Sequence, residues 1–352
     1  GQDIGLDELR DRHDCIYLAI GAQSGVGLNV PGANGPSVVK ATDFLENVNR
    51  GQRIAAAERV VVVGGGNSAV DAARCARRKG AEVTILYRRS LKDMPAAAWE
   101  IQEAVEEGVQ LMLLASIGRI ERAADGRLTS LVVQHMQAGP PDGSGRARPE
   151  PVPDSEFSMP ADTVIAAISQ RPSLNGFEML KQDHGWLLSD EGGAASEDVW
   201  IGGDVTGPGI AGEAIVQGRL TAERLHAKFN GAPEATHPAK EAAIGPDHIR
   251  LASKTACDAV HEHHLPGPER VALGMVEVKK TISEAQFLAE VERCFSCGSC
   301  FGCEQCYMYC TSNCFTRVEE PQPGVYFTLN LDNCRECGKC IEVCPCGFME
   351  PA

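Results

Sequence analysis

Twelve of the fifteen cysteines in this 352-residue chain lie between Cys294 and Cys346, the other three being Cys15, Cys75 and Cys257. Thiolate sulfur is a soft donor that suits iron–sulfur clusters or zinc, and the spacing of the thiols separates these choices. Cys334, Cys337, Cys340 and Cys344 follow the order C-x2-C-x2-C-x3-C with Pro345 next, the bacterial ferredoxin run for a four-iron cubane. Upstream only one register gives the same order, Cys300, Cys303, Cys306 and Cys310, because a start at Cys294 or Cys297 leaves no thiol in the fourth place. Two complete runs predict two 4Fe-4S clusters and one-electron transfer. In two-cluster modules the fourth cysteine of each run crosses to the other cluster. The expected ligand sets are therefore Cys300, Cys303 and Cys306 with Cys344, and Cys334, Cys337 and Cys340 with Cys310.

A disulfide framework or a zinc module would use the same residue type. Disulfides need an oxidising compartment, and the first residues show no basic head followed by an apolar stretch. Zinc sites usually separate two C-x2-C pairs, whereas three thiols at unbroken x2 spacing wrap a cube corner better than a tetrahedron. The expected setting is thus the reducing cytoplasm. Cys294, Cys297, Cys314 and Cys346 remain unassigned, either tuning or shielding the clusters or simply packing.

The formal charge of -15 disfavours nucleic acid, because an acidic surface cannot replace the counterions of a phosphate backbone. No apolar run approaches the length of a membrane span. With 43% hydrophobic residues, the chain is long enough for two or three compact units.

The second chemistry-bearing segment is Gly64, Gly65, Gly66, Asn67, Ser68 and Ala69, which fits G-x-G-x-x-A. The β-branched residues 60–63 read as a buried strand feeding this turn, residues 68–79 as a helix ending at Gly80, and residues 83–87 as the next strand. That is the context a dinucleotide turn requires: glycines for the tight bend and close pyrophosphate approach, Ala69 for packing, and a helix N-terminus for the phosphates. At the end of the next strand stand Arg88 and Arg89, where NAD enzymes usually place an acidic residue. Two guanidinium groups there attract a 2′-phosphate, so NADP(H) is favoured over NAD(H). Arg74, Arg77, Arg78 and Lys79 receive no assigned contact.

Residues 1–12 read as a short amphipathic helix and residues 15–20 as a buried strand. Further strands fit residues 110–114, 131–135 and 163–168, with 139–154 as an exposed Gly/Pro/Asp-rich excursion. Residues 199–201 form a strand delivering Gly202, Gly203 and Asp204, and a helix follows Gly209 to about Phe229. In this arrangement Asp204 can accept from a flavin ribityl hydroxyl while the helix N-terminus faces the flavin. Residues 226–281 read as a linker, with the histidines at 261, 263 and 264 on its surface. A helix over 283–293, with Ser283 as N-cap and Gln286 completing a capping box, leads into the cysteine module.

Taken together, residues 14–22, the Gly64 turn, Tyr87-Arg88-Arg89, Met94-Pro95, Glu106-Glu107-Gly108-Val109, Arg171-Pro172, Gly202-Gly203-Asp204 and residues 214–219 resemble the small subunit of glutamate synthase and its relatives. That family has an FAD domain with an NADPH domain inserted in it. The resemblance implies an α/β flavoprotein of two dinucleotide-binding domains, the FAD domain incomplete, followed by an α+β two-cluster ferredoxin domain. It places residues 1–54 and 173–229 in the FAD domain, 55–172 in the NAD(P) domain, 230–282 in a linker and 283–352 in the ferredoxin-type domain. Ala22, Gly203, Asp204, Ile210 and Ala211 are the implied flavin-facing positions. Glutamate synthase small subunits carry their clusters upstream, so the C-terminal ferredoxin instead resembles NAD(P)H:acceptor oxidoreductases of that superfamily. The nearest resemblance is to the iron–sulfur flavoprotein of the dissimilatory sulfite reductase system of sulfur bacteria.

Two departures stand out. The upstream flavin half with its own G-x-G-x-x-G is missing, and Ser169 stands where relatives commonly have Gly. The implied activity is hydride transfer from NAD(P)H to FAD and single-electron transfer through two clusters to a redox protein acceptor, without a nucleophilic catalytic set. Two other functions stay open, a glutamate synthase component and a non-catalytic ferredoxin-bearing docking subunit. The expected partners are the acceptor, the missing flavin half and a second copy of the chain. With one flavin half missing, strand 15–20 is expected to lack sheet neighbours.

Overall fold

The computed structural model describes residues 3–52, 58–143, 145–233, 256–294, 299–322 and 324–349. It divides into two compact units, Gly1–Ala235 with Leu265–Val278, and Thr236–His264 with Lys279–Ala352.

The first unit is built on strand Arg59–Val63, in which Val60, Val61 and Val62 are at most 5% exposed. A strand buried on both faces needs cover on both, which is the situation of a parallel sheet. It pairs in parallel with Glu82–Tyr87 on one side and Thr163–Ala166 on the other, and Gln110–Leu113 and Val38–Lys40 complete a five-stranded parallel sheet. Successive side chains alternate between the faces. Val60 and Val62 meet the helices Ala41–Asn49, Asn67–Arg78 and Ala98–Glu106 through Phe44, Val70, Ala73 and Ile101. Val61 points the other way, into a core with Ile117, Leu131 and Val133 from a three-stranded antiparallel sheet.

Several expectations change here. Residues 38–49, expected to lie with the FAD domain, are built into this parallel sheet and its helical face, because Val38 and Val39 pair with Val164 and Ile165. The excursion at 139–154 is largely strand: Leu128–Pro141 and Ala147–Pro160 form a long antiparallel hairpin with shifts in register that accommodate its prolines. Strand Ile16–Leu18 does have a neighbour, the parallel strand Val199–Ile201, over a core of Leu6, Leu180, Leu187 and Val205. Helix Ala211–Asn230 follows and ends at Gly231, whose φ of 60° is the left-handed cap that glycine favours.

Part of the expected surface linker is anchored instead. Helix Gly267–Leu273 packs where a Cβ on Gly267 would stand 2.0 Å from the Glu106 carbonyl oxygen, so only glycine fits. Arg270, 4% exposed, reaches Glu106 at 3.0 Å and Glu107 at 3.9 Å. The Glu107 side chain has no exposed surface and lies 2.7 Å from both Arg74 and Arg78, while Arg77 donates to its carbonyl. Burial alone would push this carboxyl up, but hydrogen bonds from Arg78 and Arg74 outweigh it and hold its pKa below the ordinary value. Arg74 and Arg78, left unassigned from the sequence, are thus counterions of a buried carboxylate, while Arg77 holds backbone carbonyls.

The second unit carries helix Glu284–Arg293, capped as the sequence predicts: Gln286 N donates to Ser283 Oγ and Ser283 N to Gln286 Oε1. His263–His264 pair with Lys279–Lys280 in a short antiparallel ladder. Two five-residue helices, Gln305–Tyr309 and Lys339–Val343, flank the hairpin Phe315–Gln322 and Val325–Leu329.

Removing one partner of a buried ion cluster strands the others. Glu107→Ala is therefore expected to destabilise the first unit by about 3–5 kcal/mol, read in a urea titration at pH 7. A depressed folded-state pKa contributes stability that is present above the unfolded-chain pKa and lost as pH falls through the folded one. The gap between Glu107→Ala and the unaltered chain should accordingly narrow on acidification.

Candidate functional site

The glycine turn follows strand Arg59–Val63 directly, and each glycine has a different reason to be there. Gly64 has φ +145° and its missing Cβ would lie 2.2 Å from the Ala167 carbonyl oxygen. A Cβ on Gly65 would lie 2.6 Å from the Tyr87 ring. Gly66 is open, with its nearest neighbour Pro95 at 3.9 Å. The first two glycines let the turn fold, and the third leaves space beside the start of helix Asn67–Arg78, where a phosphate would come. The loop around Met94 and Pro95 braces this turn: Ala96 N donates to Gly65 O, Ala97 N to Asn67 Oδ1, and Tyr87 Oη to Asp93 O. Gln170 reaches Ser68 Oγ at 3.4 Å from beside Ser169, a neighbour that sequence spacing alone could not indicate. Ser169 itself offers its carbonyl to Val26 N.

At the strand end the arginine pair separates. Arg88 is exposed and forms no ion pair with any described residue, whereas Arg89 is 7% exposed and pairs with Asp142 of the long hairpin. Of the two guanidinium groups expected at the coenzyme, one is thus open to solvent and the other is engaged within the chain.

Around the implied flavin positions, Ala22 is buried and Asp204 Oδ1 accepts from Gly209 N at 3.2 Å. Gly203 N donates to Gln217 Oε1 at 2.6 Å, and a Cβ on Gly202 would stand 2.0 Å from the Tyr17 hydroxyl. These contacts join the strand Ile16–Leu18 to helix Ala211–Asn230 through the G-G-D turn. Ile210 and Ala211 begin that helix exposed, and Ile215 and Val216 on it are 71% and 51% exposed.

In the second unit the two cysteine runs repeat one backbone shape. Gly302, Glu304 and Asn313 have φ of 72°, 64° and 50°, and the matching positions of the second run, Glu336, Gly338 and Gly347, have 53°, 68° and 67°. Each run places its third thiol on a short helix and its fourth just after it, Cys306 and Cys310, then Cys340 and Cys344. Cys300, Cys303, Cys306 and Cys344 line one cavity together with Cys346, Phe327 and Phe348. Cys310 does not line that cavity: Cys314 N donates to its sulfur at 3.4 Å, and burial, then the charges of Cys337 and Cys310, push the Cys340 thiol up. That cavity thus gathers the first three thiols of one run with the fourth of the other.

Among the described residues no three His, Cys, Asp or Glu side chains converge on one metal position. Burial pushes Cys306, Cys314 and Cys346 up to about 11. Burial raises Cys310 too, but backbone N–H groups of Cys314, Ser312 and Asn313 outweigh it and bring that thiol below its ordinary value. Such a nest of N–H groups favours the thiolate, the form that binds iron. Of the unassigned thiols, Cys314 and Cys346 are 3% and 2% exposed and each touches a crossing cysteine, Cys346 lying 3.6 Å from Cys344. Cys297 lies outside the described residues.

Nucleotide turn, G-G-D segment and doubled cysteine module join the fold of a two-dinucleotide-domain protein to a ferredoxin-type module in one chain. The chain belongs to the pyridine nucleotide-disulphide oxidoreductase family, whose model matches residues 6–239, and residues 299–348 match a 4Fe-4S dicluster domain. It is 44% identical over 179 residues to the NADPH-Fe(3+) oxidoreductase subunit beta of Geobacter sulfurreducens, covering 50% of this chain and 27% of that protein. It is 31% identical to YgfK of Escherichia coli, covering 97% of this chain and 32% of that protein. With the glutamate synthase [NADPH] small chain of Azospirillum brasilense it shares 33% identity, covering 67% and 53%. The chain therefore spans between about a quarter and a half of the length of these curated relatives. Its fold is like that of Mycobacterium tuberculosis FprA in complex with NADPH, with a TM-score of 0.55 at 19% identity over 66% of this chain and 69% of that one.

The differing surroundings of Gly64 and Gly66 separate folding from binding. Gly66→Ala should leave the melting temperature nearly unchanged while weakening NADPH binding by calorimetry, because its Cβ enters open space. Gly64→Ala should lower the melting temperature, because its Cβ meets the Ala167 carbonyl.

Proposed function

We propose that this chain passes electrons from NAD(P)H by way of FAD and two 4Fe-4S clusters to a protein acceptor. One observation carries the reading: a single chain joins an open-third-glycine nucleotide turn to two C-x2-C-x2-C-x3-C runs. When bound, the flavin converts the two-electron chemistry of nicotinamide into the one-electron steps a cluster takes. Gly64, Gly65 and Gly66 shape the turn for the pyrophosphate, Asn67, Ser68 and Ala69 start the helix that faces it, and Arg88 offers charge to a 2′-phosphate. Cys300, Cys303, Cys306 and Cys344 would hold one cluster, and Cys334, Cys337, Cys340 and Cys310 the other. The three left-handed residues of each run turn the backbone so that N–H groups can face the sulfurs.

Ala22, Gly203, Asp204, Ile210 and Ala211 would form one wall of the flavin site. The exposed Ile215 and Val216, and the two-stranded pairing of Ile16–Leu18 with Val199–Ile201, support an additional flavin half that covers this wall. Among the described residues no helix is long and apolar enough to cross a membrane, and a reducing cytoplasmic setting suits the free thiols. A sulfite-reductase-type protein is the first acceptor to test. The likeness to glutamate synthase small chains favours a second reading, a component that delivers electrons to a glutaminase-bearing partner; co-purification with such a partner would distinguish it.

Anaerobically reconstituted protein should contain about eight irons per chain, the two-cubane stoichiometry, and Cys337→Ser should lose about half of them. Stoichiometric zinc with little iron would overturn the cluster assignment. Supplying the flavin half should allow NADPH to bleach the cluster absorbance, and without it FAD titration should show only weak binding.

A further inference from the structure

Arg89 and the long hairpin meet at the strand end that follows the nucleotide turn. The backbone fixes this meeting point from both sides: Leu114 N donates to Arg89 O, and Met136 N donates to Leu114 O at 2.7 Å. At the hairpin tip, Asp142 N donates to Arg146 O and Gly145 N to Asp142 O, so Asp142 is held in a closed turn. Its carboxylate takes the Nη2 end of Arg89, whose side chain is 8% exposed. The neighbouring Nε of the same guanidinium is buried without a hydrogen-bond partner.

That idle Nε is informative. A guanidinium recognises phosphate or carboxylate best through two parallel N–H groups on one edge. Here Nη2 is engaged by Asp142 and Nε is empty, so one half of a fork is used and a buried donor is left at a cost. A phosphate oxygen pair could take both, but only by displacing Asp142. Arg74, Arg77 and Arg78 are held by Glu107 and by backbone carbonyls, so they do not substitute for Arg89.

We infer that Asp142 is a specificity-determining residue for the nicotinamide coenzyme, competing with the 2′-phosphate for the Arg89 guanidinium and thereby lowering discrimination for NADPH over NADH. The inference rests on the reading of the Gly64 turn as a coenzyme site. Its logic is that of repulsive specificity elements: a carboxylate beside the site penalises the ligand that brings extra negative charge and leaves the other unaffected. Arg88 supplies the preference for NADPH, and Asp142 moderates it.

The test is calorimetric titration of the full chain with NADPH, NADH, 2′,5′-ADP and 5′-AMP. Asp142→Asn should bind NADPH and 2′,5′-ADP several-fold more tightly and leave NADH and 5′-AMP unchanged. Asp142→Ala serves as a second variant, with a thermal melt on each to show that it folds. In an Arg89→Ala background the gain from Asp142→Asn should vanish, since the competition has lost its object. Equal affinity ratios in the unaltered chain and Asp142→Asn would overturn the role of Asp142. So would selective weakening of NADPH, which would make Asp142 a positioning residue that aims Arg89 at the phosphate. Failure of the unaltered chain to bind either coenzyme would overturn the reading of the turn and this inference with it.

Discussion

The strand Arg59–Val63 is the constraint on which the first unit depends. With Val61 and Val62 at most 1% exposed, it is unable to face water on either side and must be flanked by parallel neighbours and covered by a layer on each face. One cover is helical and supplies the phosphate-facing N-terminus of Asn67–Arg78. The other is the antiparallel sheet, whose hairpin carries Asp142 to the end of the neighbouring strand. The glycine turn and the Arg89–Asp142 ion pair thus sit where they do because two layers meet at the end of one buried sheet.

Charge inside this unit is organised around one carboxylate. Glu107 is fully buried, and a lone buried carboxylate would be costly; Arg74, Arg78 and Arg270 supply the compensating charge from two helices far apart in sequence. Arg270 belongs to a helix in the stretch leading towards the cysteine module. The ion cluster therefore fixes an anchor for that stretch on the nucleotide-binding unit. A buried cluster of this kind specifies geometry more than it adds stability, since apolar replacements of the whole set can be equally stable.

The cysteine module obeys a different constraint. Thiols two residues apart reach around a common cage only if the backbone between them bends left, and the repeated positive φ values at matching positions meet that need. Glycine serves at Gly302, Gly338 and Gly347, while Glu304, Glu336 and Asn313 accept the conformation with a side chain. Cys344 of the second run lines the cavity of the first, and Cys314 and Cys346 pack beside Cys310 and Cys344.

The amino-acid sequence alone determined the local chemistry: the two cysteine runs, the strand, turn and helix around Gly64, and the capping box at Ser283. In each case spacing along the chain is the physical signal, because ligand geometry, helix caps and tight turns involve neighbours within a few residues. Only the tertiary structure decided matters that depend on residues brought together from afar. It moved residues 38–49 into the parallel sheet, turned most of the excursion at 139–154 into a hairpin, and gave strand Ile16–Leu18 a partner. It also buried Arg74 and Arg78 against Glu107, anchored part of the linker through Arg270, and divided Arg88 from Arg89 by bringing Asp142 across a gap of 53 residues. A charged side chain reads the same in sequence whether it faces water, a ligand or a buried counterion, and only packing settles which.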